Sequence, residues 1–121
     1  MAEVPGRFED RRGVIQDLLG QVDSVTEIFT RARHIRGNHV HKRTTQWTYV
    51  VHGVLLAAYR HDDGTAVKRE YYPHSLIEEP AGVPHAWKAV TDCRVLVFTR
   101  GPRSGTAYET DTQRLEVPVL A

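Results

Sequence analysis

Disulfides are the first thing this chain cannot have. It holds one cysteine, Cys93, among its 121 residues, so no intramolecular bridge can staple it and no oxidising compartment is needed. Long apolar runs are missing too. No stretch approaches the ~20 residues that a membrane helix requires, and the N-terminal MAEVPGRFEDRR has no apolar core of the kind a signal peptide carries. Charge of one sign is equally scarce: 16 Lys+Arg stand against 15 Asp+Glu, a formal net charge of +1. That balance gives no case for a nucleic-acid partner, which calls for a concentrated basic surface. The expectation is a soluble cytoplasmic protein with no membrane and no nucleic-acid partner. Helical periodicity is the last thing in short supply. Val14 to Leu19 (VIQDLL) suits a helical turn, with a strand over Gly13 to Leu18 as the preferred alternative because no helix partner is in view.

What the chain does have is short β-type segments broken by Gly, Pro and Asp. Ser24 to Thr30, Gln46 to His52, Val54 to Arg60, Ala66 to Tyr72 and Arg94 to Thr99 all carry β-branched or aromatic residues. His61-Asp62-Asp63-Gly64 reads as a hairpin turn, with Gly where a positive φ is needed. With 40% hydrophobic and 26% charged residues, this is the composition of one globular domain. Residues 7–121 are expected to form a single all-β domain, with residues 1–6 flexible and the tail after about Gly101 peripheral. So many antiparallel strands in so short a chain must manage their edges, and closure into a barrel or double-sheet jelly roll does so.

Three histidines stand out from the seven present. His39 and His41 are two apart on a strand, so both side chains point to one face. Gln46, Thr48, Val50 and His52 share a face of the next strand, and Trp47, Tyr49 and Val51 share the other. His85 follows the tight loop Pro80-Ala81-Gly82-Val83-Pro84. Two imidazoles from one strand and a third from across a barrel make a facial set, and imidazole suits divalent transition metals. The plain alternative for each is a surface or core histidine, and for Gln46 a hydrogen bond inside the barrel. His52 is a candidate lining residue, while His61 and His74 are expected to be solvated. Cys93, ahead of Val95 to Phe98, is expected to be a buried, inert thiol. Tyr59, Tyr71, Tyr72 and Trp87 could line a pocket or fill the core. Arg31, Arg33, Arg36, Lys42 and Arg43 either steer a small anionic ligand or form a solvated strand edge.

The stretch from Gly37 to Gly53, GNHVHKRTTQWTYVVHG, resembles the first sequence motif of the cupin superfamily, an H-x-H pair followed by an acidic residue and then a glycine. Pro80 to His85, PAGVPH, resembles the second motif, P-x-G-x-x-H. The resemblance implies a single-domain cupin jelly-roll barrel whose metal would be held by His39, His41, His85 and Gln46. The metal implied is a divalent transition ion, Zn, Fe, Ni or Mn. The chain departs from the pattern where the family's Glu becomes Gln46, where Ala89 replaces the closing Asn, and where His74 and Ser75 open the second motif. Loss of the carboxylate leaves the ion's full charge on its bound water or substrate and makes the fourth ligand weaker.

A narrower likeness runs through Phe8 to Ile15 and Ile35 to Lys42. It is to small cupins of sugar-nucleotide and polysaccharide pathways, among them nucleotide-linked 4-keto-sugar isomerases that also carry Gln in place of Glu. There the resemblance implies that His39 and His41 act as acid and base without an essential metal. The leading expectation is thus a metal-binding cupin acting on a small polar metabolite, of isomerase, lyase or dioxygenase type. A metal-independent sugar-nucleotide isomerase or epimerase is the alternative, and a non-catalytic metal- or sugar-binding module is the third. The stripe Trp47, Tyr49, Val51 suggests either packing between sheets or a homodimer interface.

Overall fold

The computed structural model describes residues 6–102 and 105–121. The flexibility expected of residues 1–6 therefore falls largely outside the described residues. Gly6 itself is tied down, its carbonyl accepting the Asp17 amide at 2.8 Å.

A hairpin comes first, β1 (Arg7–Asp10) with β2 (Gly13–Gln16). The preferred strand over residues 13–18 is thus present, ending at Gln16. The hairpin leaves Phe8, Val14 and Ile15 exposed. The other strands are β3 (Ser24–Thr30), β4 (Ile35–His41), β5 (Thr45–His52), β6 (Leu55–Arg60), β7 (Ala66–Tyr71), β8 (Leu76–Glu79), β9 (His85–Ala89), β10 (Cys93–Arg100) and β11 (Thr112–Arg114). They build two antiparallel sheets, β3-β10-β5-β8 and β11-β4-β9-β6-β7. The all-β expectation holds, with one addition: a short helix, α1 (Gly105–Asp111).

Alternation decides what lies between the sheets. Val50 on β5, Leu55 on β6, Trp87 and Ala89 on β9, and Val95 and Val97 on β10 join Ile77 and Cys93 in one buried cluster. Cys93 is fully buried, as expected, and burial raises its thiol pKa above the ordinary value. Leu96 and Phe98 point to the opposite face of β10, where they pair across the ladder with Tyr49 and Trp47. That stripe therefore lies on the other side of the sheet from this cluster, where Trp47 is nonetheless buried, with the Arg100 guanidinium 5.1 Å from its ring centroid. The turn at Gly64 has φ 91°, and Asp63 caps it by accepting the Thr65 amide at 2.9 Å.

Two expectations fail here for clear reasons. His52 does not line the barrel and is exposed. The β5–β10 register jumps from Val50↔Val95 to His52↔Arg94, so Val51 is an extra residue and the alternation breaks. The tail beyond Gly101 is not peripheral. Strand β11 pairs with β4, and Val119 and Leu120 bury themselves against Ala58 and Ala86 in a second cluster. Asn38 clamps that tail: its side-chain oxygen accepts the amides of Val119 (2.8 Å) and Leu120 (3.1 Å), and its amide nitrogen donates to Leu120 O at 2.9 Å.

Candidate active site

The site begins with an irregularity in β4. Gly37 (φ 95°) and Asn38 (φ 56°) sit in the left-handed region, and the pairing with β9 steps from Gly37↔Ala86 to His39↔His85. A Cβ on Gly37 would lie 3.0 Å from Ala86 Cα, so glycine lets the two strands close up just ahead of the histidines. Register then puts His39 directly opposite His85, and period two carries His41 to the same face.

The three imidazoles that the sequence singled out do meet. One nitrogen from each of His39, His41 and His85 lies within 4.8 Å of the others. Ring centroids are 4.5 Å apart for His39–His41, 4.7 Å for His39–His85 and 5.5 Å for His41–His85. Two of the rings have an orienting partner of their own. His85 Nδ1–H donates to Val83 O at 3.1 Å, which turns Nε2 toward His39 Nε2, 3.1 Å away. His41 Nδ1 is 3.1 Å from Thr112 Oγ1 and 3.6 Å from Asp111 Oδ2, so its chemistry toward the cavity runs through Nε2. Burial, then the charges of His85, His41 and Arg114, lower the His39 pKa to about 3. His39 is therefore a neutral imidazole across the working pH range, able to accept a proton or hold a metal ion.

Gln46 reaches the same space, lining a cavity of about 210 Å³ with His39, His41 and His85. Its amide nitrogen donates to Glu79 Oε2 at 3.2 Å. A second cavity, about 530 Å³, opens between β8 and the β6–β7–β9 side and is lined by Tyr59, Arg69, Tyr71, Glu79 and His85. His85 lines both cavities. Trp87 serves both core and small cavity, and Tyr72 is exposed. His34, His52, His61 and His74 are all exposed, away from the cluster.

Two carboxylates of the site went unrecognised in the sequence. Asp111, at the end of α1, is fully buried. Burial alone would raise its pKa, but hydrogen bonds from Thr44 and the Arg43 amide, with the charges of His41 and Arg43, outweigh this and hold it below the usual carboxylate range. Glu79, the last residue of β8, is 7% exposed. It accepts the Thr48 hydroxyl at 2.5 Å and stands 3.3 Å from His85 Nε2. In the sequence only its place immediately before Pro80 set it apart, and its position opposite Gln46 in the β5–β8 ladder emerges from the structure.

No family model matches the chain, and no curated protein does. Solved structures do. Over 95% of its length the chain is similar to dTDP-4-dehydrorhamnose 3,5-epimerase from Sulfolobus tokodaii, with a TM-score of 0.75, 19% identity and 76% of that chain covered. QdtA, a sugar 3,4-ketoisomerase from Thermoanaerobacterium thermosaccharolyticum, gives a TM-score of 0.75 at 20% identity, covering 93% of this chain and 85% of QdtA. The chain is a cupin by fold. The cupin jelly roll also matches the capsular polysaccharide assembling protein CapF from Staphylococcus aureus, with a TM-score of 0.71 and 20% identity over 96% of this chain. This chain spans about a third (34%) of the length of CapF. No helix among the described residues is long and apolar enough to cross a membrane.

Proposed function

We propose that this cupin is an enzyme that moves a proton on a small, polar, sugar-type metabolite held in the barrel, in the class of sugar-nucleotide isomerases and epimerases. The observation that carries the reading is the pairing of His41, backed by Asp111 and Thr112, with a neutral His39 beside it. A carboxylate behind an imidazole fixes its tautomer and raises its basicity. His41 Nε2 takes the proton from a carbon next to a ketone, the enediolate forms, and an imidazole returns a proton to the neighbouring carbon or the opposite face. The larger cavity, at about 530 Å³, is of the size that small-molecule ligands occupy. Its tyrosines and Arg69 suit hydroxyls and an anionic portion of the substrate. The structural likeness to an epimerase and a ketoisomerase supports this choice of substrate class.

The test uses TDP-4-keto-6-deoxyglucose, the compound bound in a QdtA structure. Chelator-treated protein is incubated with it in deuterium oxide, and the sugar C–H signals are followed by proton NMR. Wild type should wash deuterium into the position beside the ketone, and His41→Asn should lose at least ~100-fold in that rate. No exchange by wild type, with the sugar nucleotide clearly bound, would point to a non-catalytic binding module.

A second reading concerns the same residues as a metal centre, and the convergence of three imidazole nitrogens favours it. Ligands at the ~2.1 Å of a Zn–N bond lie roughly 3.4 Å apart in a tetrahedron, close to the 3.1 Å between His39 Nε2 and His85 Nε2. The donor set fits a divalent transition ion, which would polarise a carbonyl oxygen as a Lewis acid. We also propose a homodimer, formed on the outer face where the exposed Val25 lies beside the half-buried Phe98, with the half-buried Leu96 and Tyr49 in the next row.

A further inference from the structure

Glu79 is a buried carboxylate in an uncomfortable place. Thr48 Oγ1 and Gln46 Nε2 donate to it, at 2.5 and 3.2 Å, and these contacts fix its position. Its Oε2 faces His85 Nε2 at 3.3 Å. The other nitrogen of His85 is committed as a donor to Val83 O. His85 Nε2 therefore faces both His39 Nε2, at 3.1 Å, and Glu79 Oε2. With His41 close by, three imidazole nitrogens and a carboxylate oxygen converge in a space removed from water, the donor set that a divalent cation takes.

We propose that Glu79 supplies the negative charge of a divalent-cation site formed with His39, His41 and His85, and that Gln46 serves to hold Glu79 rather than the ion. The proposal rests on the metal reading given above, not on the proton-transfer reading. Gln46 and Glu79 are direct partners across the β5–β8 ladder. The carboxylate missing at position 46 is thus present one strand over, a displacement of about 4.8 Å. A carboxylate there compensates the ion's charge in a way that a neutral amide cannot. Thr48, fully buried on the same face, completes the cradle from the strand that also carries Gln46.

The experiment is a Co²⁺ titration of chelator-treated protein, read by calorimetry and by the visible absorption of the bound ion. Wild type, Glu79→Gln, Glu79→Asp and Gln46→Ala are compared, each checked for folding by circular dichroism. The proposal expects one Co²⁺ per chain in wild type, and at least tenfold weaker binding in Glu79→Gln. Glu79→Asp, which keeps the charge, should bind more tightly than Glu79→Gln, and Gln46→Ala should lose less than Glu79→Gln does. If Glu79→Gln does not fold, the order of Glu79→Asp and Gln46→Ala decides: a greater loss in Gln46→Ala overturns the proposal. Equal affinity in wild type and Glu79→Gln overturns the role of Glu79 and leaves the metal reading standing. A wild type that takes up no Co²⁺ overturns both.

Discussion

Replacing Asp111 by Asn removes one charge from the interior and almost no volume. The carboxylate accepts the Arg43 amide at 2.6 Å, lies 3.5 Å from Arg43 Nε and 3.6 Å from His41 Nδ1, and is fully buried. A hydrogen bond to a charged group contributes about 1.5–3 kcal/mol. Asn retains one acceptor, and its NH₂ must face either the Arg43 N–H or His41 Nδ1. The expected loss at pH 7 is about 2 kcal/mol, which for a domain of this size lowers Tm by roughly 5–10 °C. The pH dependence gives the reasoning a sharper edge. Because Asp111 has a folded-state pKa below its ordinary 3.8, the unfolded chain binds the proton more readily in that window. Its contribution is therefore complete above the unfolded pKa and is lost as pH falls through the folded one. Thermal melts of wild type and Asp111→Asn from pH 7 down to pH 2.5 should show a gap that closes below about pH 4. Equal stability at neutral pH, or a gap that widens in acid, would refute the assignment of a paired, ionised Asp111. The same substitution should slow any reaction that uses His41 as base, since it unseats the partner of Nδ1.

Other outcomes follow from single positions. Gly53→Ala should cost more than about 3 kcal/mol in a denaturant melt, because a Cβ at φ 92° would lie 2.2 Å from Asp92 O. Deleting the last five residues should lower Tm by over ~5 °C and expose the Ala58–Ala86 face to a hydrophobic dye, since Val119 and Leu120 cover it. In chelator-treated protein the His39 ring should stay neutral by NMR from pH 8 to pH 5. Its lowered pKa costs stability as pH falls below about 6.5, where the unfolded chain takes up the proton first. Light scattering at micromolar concentration should return about twice the 13.7 kDa chain mass, and Val25→Glu, at an exposed position of the outer face, should halve it.

The jelly roll and the three-histidine cluster were legible because both rest on short-range rules. Period two puts His39 and His41 on one face. The turn at Gly64 was readable from its local sequence, His61-Asp62-Asp63-Gly64, with glycine at φ 91°. What stayed hidden depends on long-range register. The bulge at Val51 that sends His52 outward has no local signature. The docking of Leu115 to Leu120 depends on Asn38, some 80 residues away in sequence, whose side chain speaks only to backbone groups. Asp111 and Glu79 look like ordinary surface acids in the sequence. They become site residues only because β11 pairs with β4 and β8 with β5, which brings Asp111 to His41 and Glu79 to Gln46.

The most direct test of the central claim is to watch the histidines themselves. The chain has seven: His39, His41 and His85 gather in the barrel, His61 lines the larger cavity, and His34, His52 and His74 are exposed away from both. Imidazole ¹⁵N resonances, assigned by single His→Gln variants, are recorded as TDP-4-keto-6-deoxyglucose is titrated in. The account predicts that the signals of His39, His41 and His85 move together with one saturation curve, joined by His61, which lines the larger cavity, while His34, His52 and His74 stay in place. Saturable movement confined to His34, His52 and His74, with the barrel trio unchanged, would contradict it.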